Sequence, residues 1–124
     1  MKNIIFYRCN TCGNIMALLK NAGESRICCE QSMTKLEPNT SDGAKEKHIP
    51  IVTKATGKLQ VAVGSVSHPM LPEHYIELIA VDSDKKTDIV YLAPGMEPKA
   101  EFGDAASGTV YAYCSVHGLW KADF

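Results

Sequence analysis

The sequence predicts an all-β protein in which a small metal-binding unit precedes an antiparallel β-sandwich of the immunoglobulin-like type. From Ile51 onward, short apolar segments alternate with turn-forming residues, as the strands of a sandwich do. Leu59, Val61 and Val63 occupy alternate positions, which is the period of a half-buried strand. No segment shows a helical period of any length, and four cysteines lie close together near the N-terminus.

The length and the composition limit the classes of function. The 124 residues allow one ordinary domain, or a small domain beside a very small one. The formal net charge is −1 and the signs are mixed, which excludes a basic face for nucleic acid. No apolar run could span a membrane, and Arg8 and Cys9 come too early for a signal peptide. We therefore expect a cytoplasmic protein whose five cysteines are reduced.

The first predicted unit comprises residues 1–36. Residues 5–7 predict a short strand, residues 15–19 the returning strand, and residues 21–24 a turn. Between the two strands lies a knuckle in which Gly13 permits a tight backbone turn. A unit this short buries little apolar surface, so we expect a structural metal to stabilise it.

Four cysteines of this unit form the first candidate metal site. Cys9 and Cys12 have the Cys-x-x-Cys spacing, and the adjacent Cys28 and Cys29 complete a tetrahedral set of four. Two incidental thiols, or a strained disulfide between neighbours, are the alternatives for Cys28 and Cys29. Sulfur ligands do not distinguish zinc from iron, because a tetrahedral site of four thiolates suits both metals.

Residues 37–45 contain several turn formers and no apolar period, so they predict a linker to a sandwich domain of residues 46–124. Pro50 disfavours helix in the residue before it, and this predicts that His48 lies in a loop or at the start of a strand. The predicted strands are residues 51–53, 59–63, 75–81, 89–92, 100–102, 109–113 and 119–122.

The other metal-binding side chains lie in predicted loops or at strand ends. Two prolines exclude a continuous helix around His68 and His74, and Cys114 and His117 have the Cys-x-x-His spacing. A lone cysteine is more often a buried apolar residue, and a lone histidine is more often a surface residue. Together with His48, however, these residues offer five donors, one more than a structural zinc accepts. A mixed nitrogen and sulfur set favours a non-haem iron redox centre with one exchangeable position.

The order of the motifs resembles a known family. The chain contains Cys-x-x-Cys, vicinal cysteines, Glu46-Lys47-His48-Ile49-Pro50, His68-Pro69-Met70 with a histidine six residues after the first, and Cys114-Ser115-Val116-His117-Gly118. This set, which covers nearly the whole chain, resembles desulfoferrodoxin, the two-iron superoxide reductase with a desulforedoxin-like N-terminal domain. The resemblance implies one-electron reduction of superoxide to hydrogen peroxide for detoxification, two iron ions per chain, an external electron donor such as rubredoxin, and a homodimer.

The resemblance also implies a role for each matching residue. Lys47 corresponds to the lysine that draws in superoxide and assists protonation of the bound intermediate, and Glu46 to the glutamate in the sixth position of the oxidised iron. A single ammonium can steer a small anion even when the net charge is near zero, because the local field acts on it. The implied ligands of the first iron are Cys9, Cys12, Cys28 and Cys29. The implied ligands of the catalytic iron are His48, His68, His74, His117 and, opposite the substrate, Cys114.

Two positions depart from the family pattern. Ser115 stands where asparagine is common, which predicts altered hydrogen bonding to the Cys114 sulfur and an altered redox potential. Glu30-Gln31-Ser32 follows the vicinal cysteines where Gly-Glu-Pro is common, which predicts a different turn after Cys29. Two other functions fit part of the pattern: a zinc-bearing structural module with incidental histidines, and a rubredoxin-like electron carrier whose sandwich docks partners.

Overall fold

The structure, a computed structural model, describes residues 4–23 and 26–124 and consists almost entirely of β-strands. The chain divides into two compact units, one ending at Glu37 and the other beginning at Pro38. None of the helical structure among the described residues has the length and apolar character that a membrane span requires. The predicted turn at residues 21–24 is described as far as Gly23, and Glu24 lies outside the described residues.

The first unit contains a three-stranded antiparallel sheet and a small hairpin. The sheet has the order β2-β1-β5, and β3 pairs with β4. Phe6 and Met33 are buried in this unit, in keeping with its small core. The strands are β1 (Ile5–Arg8), β2 (Ile15–Leu18), β3 (Ile27–Cys28), β4 (Gln31–Ser32) and β5 (Thr34–Lys35).

The second unit is a sandwich of two antiparallel sheets, with the orders β10-β7-β6 and β12-β11-β8-β9. The predicted alternation is confirmed, because Leu59, Val61 and Val63 of β7 are buried whereas Gln60 is exposed. They share one core with side chains from the opposite sheet, among them Val110. The predicted all-β class is therefore confirmed. The strands are β6 (Pro50–Ala55), β7 (Lys58–Val63), β8 (Ile76–Ser83), β9 (Thr87–Tyr91), β10 (Lys99–Gly103), β11 (Gly108–Cys114) and β12 (Gly118–Asp123).

A short helix, α1, spans Lys45–His48, so the prediction that His48 lies outside a helix was wrong. Proline restricts only the residue before it, and Ile49 is extended, with φ −68° and ψ 121°. The Ile49 N–H donates to the Lys45 carbonyl at 3.0 Å and closes the turn. The helix therefore ends one residue before the restriction acts, and His48 is its last residue.

The segment before α1 is held against the last strand of the sandwich. The Asn39 N–H donates to the Leu119 carbonyl at 3.0 Å. The Asn39 side chain donates to the Lys121 carbonyl at 3.2 Å and accepts from the Lys121 N–H at 2.8 Å. These bonds fix the entry to α1 beside β12.

Candidate metal centres

The four cysteines of the first unit lie at the ends of two hairpins. Cys9 and Cys12 are in the knuckle between β1 and β2, where the Cys9 N–H donates to Asn14 at 2.9 Å and the Gly13 N–H donates to Cys9 at 2.8 Å. Gly13 has φ +81°, the left-handed conformation that glycine tolerates best. The four sulfur atoms, those of Cys9, Cys12, Cys28 and Cys29, all lie within 4.8 Å of one another.

All four cysteines are free thiols, and Cys28 and Cys29 are not joined by a disulfide in the structure. The Cys12 backbone N–H is the main cause that lowers the pKa of the Cys9 thiol to about 6. Hydrogen bonds with the thiols of Cys12, Cys9 and Cys28 raise the pKa of Cys29 to about 12. Four thiolates this close repel one another and are all ionised together only around a cation. The donor set therefore fits a tetrahedral metal with four thiolate ligands.

The turn after the vicinal cysteines is tight and strained. Cys28 pairs with Gln31, which leaves Cys29 and Glu30 as a two-residue hairpin loop. Both have positive φ values, 52° and 61°, as a type I′ turn requires. This conformation favours asparagine and glycine, so Glu30 stands where its side chain costs backbone free energy.

Four imidazole rings of the second unit form a closed ring. Neighbouring rings are 4.6 Å apart for His48 and His68, 4.8 Å for His68 and His74, 5.0 Å for His74 and His117, and 4.8 Å for His117 and His48. The rings of His48 and His74 face each other across the centre at 6.3 Å. The arrangement brings together residues from α1, from the loop before β8 and from the turn before β12.

Hydrogen bonds on the outside of this ring fix which nitrogen atoms face inward. Nδ1 of His48 lies 2.7 Å from the Ala44 carbonyl, and Nδ1 of His68 lies 2.7 Å from the Pro69 carbonyl. A carbonyl only accepts, so both Nδ1 atoms carry the proton and both Nε2 atoms present a lone pair. The two Nε2 atoms are 3.1 Å apart, and His48 Nε2 is also 3.1 Å from His117 Nδ1. Inward lone pairs at such distances suit a shared metal ion.

Two further observations favour metal ligation at this ring. Nε2 of His74 is buried without a hydrogen-bond partner among the described residues, as expected of a ligand atom. Burial lowers the pKa of His68 to about 4 and also lowers the pKa values of His48 and His74. These imidazoles are therefore neutral near pH 7, which is the form that binds metals.

Cys114 supplies a sulfur atom to the same cluster. Its Sγ lies 3.8 Å from His117 Nδ1 and accepts the His117 N–H at 3.3 Å. The donor atoms of Cys114, His48, His68 and His74 lie within 4.8 Å of one another. Burial raises the pKa of the Cys114 thiol, so a nearby cation is needed for it to ionise at neutral pH. Four nitrogen atoms and one sulfur atom fit a five-coordinate iron.

Trp120 and the segment before α1 support the ring from outside. The Trp120 side chain stacks on His48 with the ring centres 4.8 Å apart, and its Nε1–H donates to the His117 carbonyl at 3.1 Å. A Cβ at Gly43 would lie 2.8 Å from Trp120 and 3.0 Å from His48. The Ser41 hydroxyl also donates to the His117 carbonyl. The sequence predicts a linker at Ser41 and Gly43, because contacts made by small residues and carbonyl groups do not produce a sequence motif.

Lys47 and Glu46 lie on α1 beside the ring and are exposed. Burial is the largest cause that lowers the pKa values of His48 and His74, and the positive charge of Lys47 is one of the smaller causes. The positive charge of Lys47 thus disfavours protonation of these two imidazoles. Among the described residues, the donor atoms at this ring that lie within 4.8 Å of one another include neither the Glu46 carboxylate nor a His117 nitrogen, but His117 Nδ1 is 3.1 Å from His48 Nε2.

Ser115 is hydrogen-bonded to Tyr75, and its predicted effect on the Cys114 sulfur and the redox potential stays a prediction. Its hydroxyl accepts the Tyr75 N–H at 3.1 Å, while the sulfur receives the His117 N–H. The Ser115 N–H in turn donates to the Tyr75 carbonyl at 3.0 Å. The hydroxyl of Ser115 therefore links the Cys-x-x-His turn to the residue after His74.

The fold and the two donor groups define a metalloprotein of the all-β class, with a four-thiolate site in a small unit and a site of four histidines and one cysteine in a sandwich. Comparisons with known proteins agree with this class. The family model described as desulfoferrodoxin matches residues 40–123, and the model described as desulfoferrodoxin, N-terminal domain, matches residues 2–36. The chain therefore belongs to the desulfoferrodoxin family.

Individual relatives cover nearly the whole chain. A desulfoferrodoxin of Clostridium acetobutylicum is 44% identical over 121 residues, which are 98% of this chain and 97% of the relative. A desulfoferrodoxin of Nitratidesulfovibrio vulgaris is 43% identical, with 94% of each chain covered. Among solved structures, the superoxide reductase from Treponema pallidum has a TM-score of 0.79 at 31% identity, covering 98% of this chain and 99% of that one.

Proposed function

We propose that this protein is a superoxide reductase, which converts superoxide, one electron and two protons into hydrogen peroxide. The observation that carries the proposal is the ring of four imidazoles, in which donor atoms of His48, His68, His74 and Cys114 lie within 4.8 Å of one another and His117 Nδ1 lies 3.1 Å from His48 Nε2. The buried Nε2 of His74 has no hydrogen-bond partner among the described residues. Five donors leave one position of an iron ion for a small substrate. In a zinc module with incidental histidines, the lone pairs of the imidazoles would not be expected to point at one common centre.

The nine donor residues hold two iron ions. The four cysteines hold the first, and the histidines and Cys114 hold the second. When bound, the second iron supplies the electron to superoxide. Ala44 and Pro69 keep the imidazoles of His48 and His68 in the tautomer that presents Nε2 inward, because their carbonyls bind the Nδ1 protons. The two sites belong to a desulforedoxin-like domain of residues 1–36 and a catalytic domain of residues 46–124, joined by residues 37–45.

Lys47 and Glu46 act on the substrate and the product. The Lys47 ammonium attracts the superoxide anion to the open side of the ring and holds protons at Nζ close to the reacting oxygen atoms. The Glu46 carboxylate closes the open side after peroxide leaves. Its side chain is exposed on α1.

The electron consumed in each cycle comes from an external donor such as rubredoxin. We place the protein in the cytoplasm, where thiols are kept reduced. The protein forms a homodimer, and the edge strand β9, on which Tyr91 is 75% exposed, is a candidate contact surface. Sedimentation of the iron-loaded protein would reveal a dimer as a doubled mass.

The products of the reaction test the proposed activity. Pre-reduced protein should form one hydrogen peroxide for each superoxide consumed and release no oxygen. A dismutase would instead return half of the superoxide as oxygen. Release of oxygen in that proportion, or no reaction faster than spontaneous decay of superoxide, would contradict the proposal.

A further inference from the structure

The turn that follows β7 lies directly against the backbone of α1. Residues 64–67 form this turn, which leads from Val63 into His68. Gly64 has φ +80°, and a Cβ at this position would lie 2.5 Å from the Glu46 carbonyl oxygen. The same Cβ would lie 2.6 Å from both Cα and C of Lys47. These are backbone atoms, which cannot move aside as the end of a flexible side chain can. Only glycine therefore allows this approach.

Two hydrogen bonds join the turn to the same carbonyl group. The Val66 N–H donates to the Glu46 carbonyl at 2.8 Å, and the Ser65 hydroxyl donates to it at 3.3 Å. The end of the turn is fixed as well, because the His68 N–H donates to the Val63 carbonyl at 3.2 Å. One short segment thus contacts the backbone of Glu46 and Lys47 and places His68 in the ring.

We propose that the residue 64–67 turn is a platform that positions Lys47 relative to the histidine ring, and that Gly64 and Ser65 are positioning residues for the capture of superoxide. This inference rests on the proposed function, in which Lys47 attracts the substrate. The helix has four residues and no side-chain cap at its N-terminus. Asn39 holds the segment before it and Trp120 packs on His48 at its end, and the turn contacts the backbone of Glu46 and Lys47 between them. The contact with the turn therefore holds the backbone from which the Lys47 side chain extends.

Gly64→Ala tests the platform, with Gly57→Ala as the matched control. Gly57 also has a positive φ, +75°, but a Cβ there has nothing within 4 Å. Both variants carry the backbone strain of alanine in a left-handed conformation, and only Gly64→Ala displaces Glu46 and Lys47. In the iron-loaded protein, hydrogen exchange of a peptide covering residues 44–49 should be faster in Gly64→Ala and unchanged in Gly57→Ala.

The reaction with superoxide gives a second readout. Gly64→Ala should lower the bimolecular rate constant by about tenfold and weaken its dependence on salt, because a displaced Lys47 steers the anion less well. Gly57→Ala should keep the wild-type rate constant and salt dependence. Equal rate constants and equal exchange in the two variants would overturn the inference. The exchange measurement does not require activity. It therefore tests whether the turn holds α1 in place even if the wild-type protein fails to reduce superoxide.

Ser65→Ala tests the platform if Gly64→Ala does not fold. This variant removes only the hydroxyl that donates to Glu46, and Ser107→Ala, at an exposed turn, is its control. Faster exchange of residues 44–49 in Ser65→Ala alone is expected, with a rate constant about twofold lower, since one neutral hydrogen bond is lost. The same exchange and rate constant in Ser65→Ala and Ser107→Ala would overturn the role of Ser65.

Discussion

Ser115 and Tyr75 are joined by two hydrogen bonds, one from the Tyr75 N–H to the Ser115 hydroxyl at 3.1 Å and one from the Ser115 N–H to the Tyr75 carbonyl at 3.0 Å. Tyr75 follows His74 and Ser115 follows Cys114, so the pair connects the chain segments that carry two donors of the same site. The ladder between β8 and β11 is irregular at this point, where the register shifts between Tyr113 and Cys114. The Ser115 side chain therefore supplies a link at the break in the ladder.

Ser115→Ala should destabilise the sandwich by about 1–2 kcal/mol, because it leaves the partly buried Tyr75 N–H without its acceptor. Ser115→Asn keeps a hydrogen-bond acceptor at this position and should lose less stability than Ser115→Ala. Urea unfolding of the two variants and of Ser107→Ala, a control at an exposed position, measures the difference. An unfolding free energy of Ser115→Ala equal to that of the wild type would contradict a structural role for this hydroxyl.

Glu30→Gly should stabilise the first unit by about 1 kcal/mol, because glycine adopts the observed φ of 61° without strain. The thermal loss of the visible absorption of the four-cysteine iron site reports on this unit. Lys85→Gly, in an exposed turn, is the control and should bring no gain. A lower transition temperature for Glu30→Gly would show that the turn after Cys29 is not in the left-handed conformation.

Lys47→Ala should lower the rate constant for superoxide by about tenfold and weaken its salt dependence, because the local positive charge that attracts the anion is removed. Lys85→Ala changes the net charge equally at an exposed turn and should have little effect. Pulse radiolysis over a range of ionic strengths measures both quantities. Rate constants that are the same in Lys47→Ala and Lys85→Ala would remove Lys47 from the mechanism.

Cys9→Ser should damage the first iron site and leave superoxide reduction by pre-reduced protein largely intact, because the five donors of the second site lie in the other unit. Iron analysis and single-turnover kinetics on the same sample check the two parts of this prediction. His117→Ala is the reciprocal variant and should retain the first iron while losing the reaction. If folded Cys9→Ser protein loses the single-turnover reaction, the first iron is an obligatory relay.

The pH dependence of stability follows from the buried histidines. Their pKa values in the folded protein lie below the ordinary value of 6.5, with that of His68 at about 4 because of burial. The unfolded chain therefore binds more protons between these values, and the unfolding free energy of metal-free protein should fall as the pH drops from 6.5 to 4. Fluorescence of Trp120, the single tryptophan, follows the unfolding. His68→Gln should flatten this slope, and an equally steep slope would contradict the assigned burial of His68.

The sandwich could be predicted because apolar residues alternate along its strands in the sequence. Leu59, Val61 and Val63 alternate in the sequence and are buried in the core. The helix α1 was missed because four residues are too few to show a helical period. The strands β3, β4 and β5 are not predicted for a similar reason, since each has two residues and is defined by its pairing and not by its composition.

The members of the candidate site could be listed from the sequence, but their arrangement could not. Which imidazoles are neighbours in the ring depends on how α1, two loops and β11 converge, and no local pattern encodes it. The sequence contains no motif for the Ala44 carbonyl or for the platform at Gly64, because both act through backbone atoms. The sequence identifies Ser115 as a departure from the family pattern, and the structure identifies its hydrogen-bond partner, Tyr75.

Iron analysis combined with the visible spectrum during oxidation tests the central claim most directly. If the four cysteines and the ring of histidines with Cys114 each hold iron, purified protein should contain two irons per chain. Superoxide added to reduced protein should produce a ferric-thiolate band from the second site, and Cys114→Ser should lack this band. One zinc per chain and no such band, in protein shown not to have lost iron, would contradict a superoxide reductase and leave a four-cysteine zinc module on a sandwich.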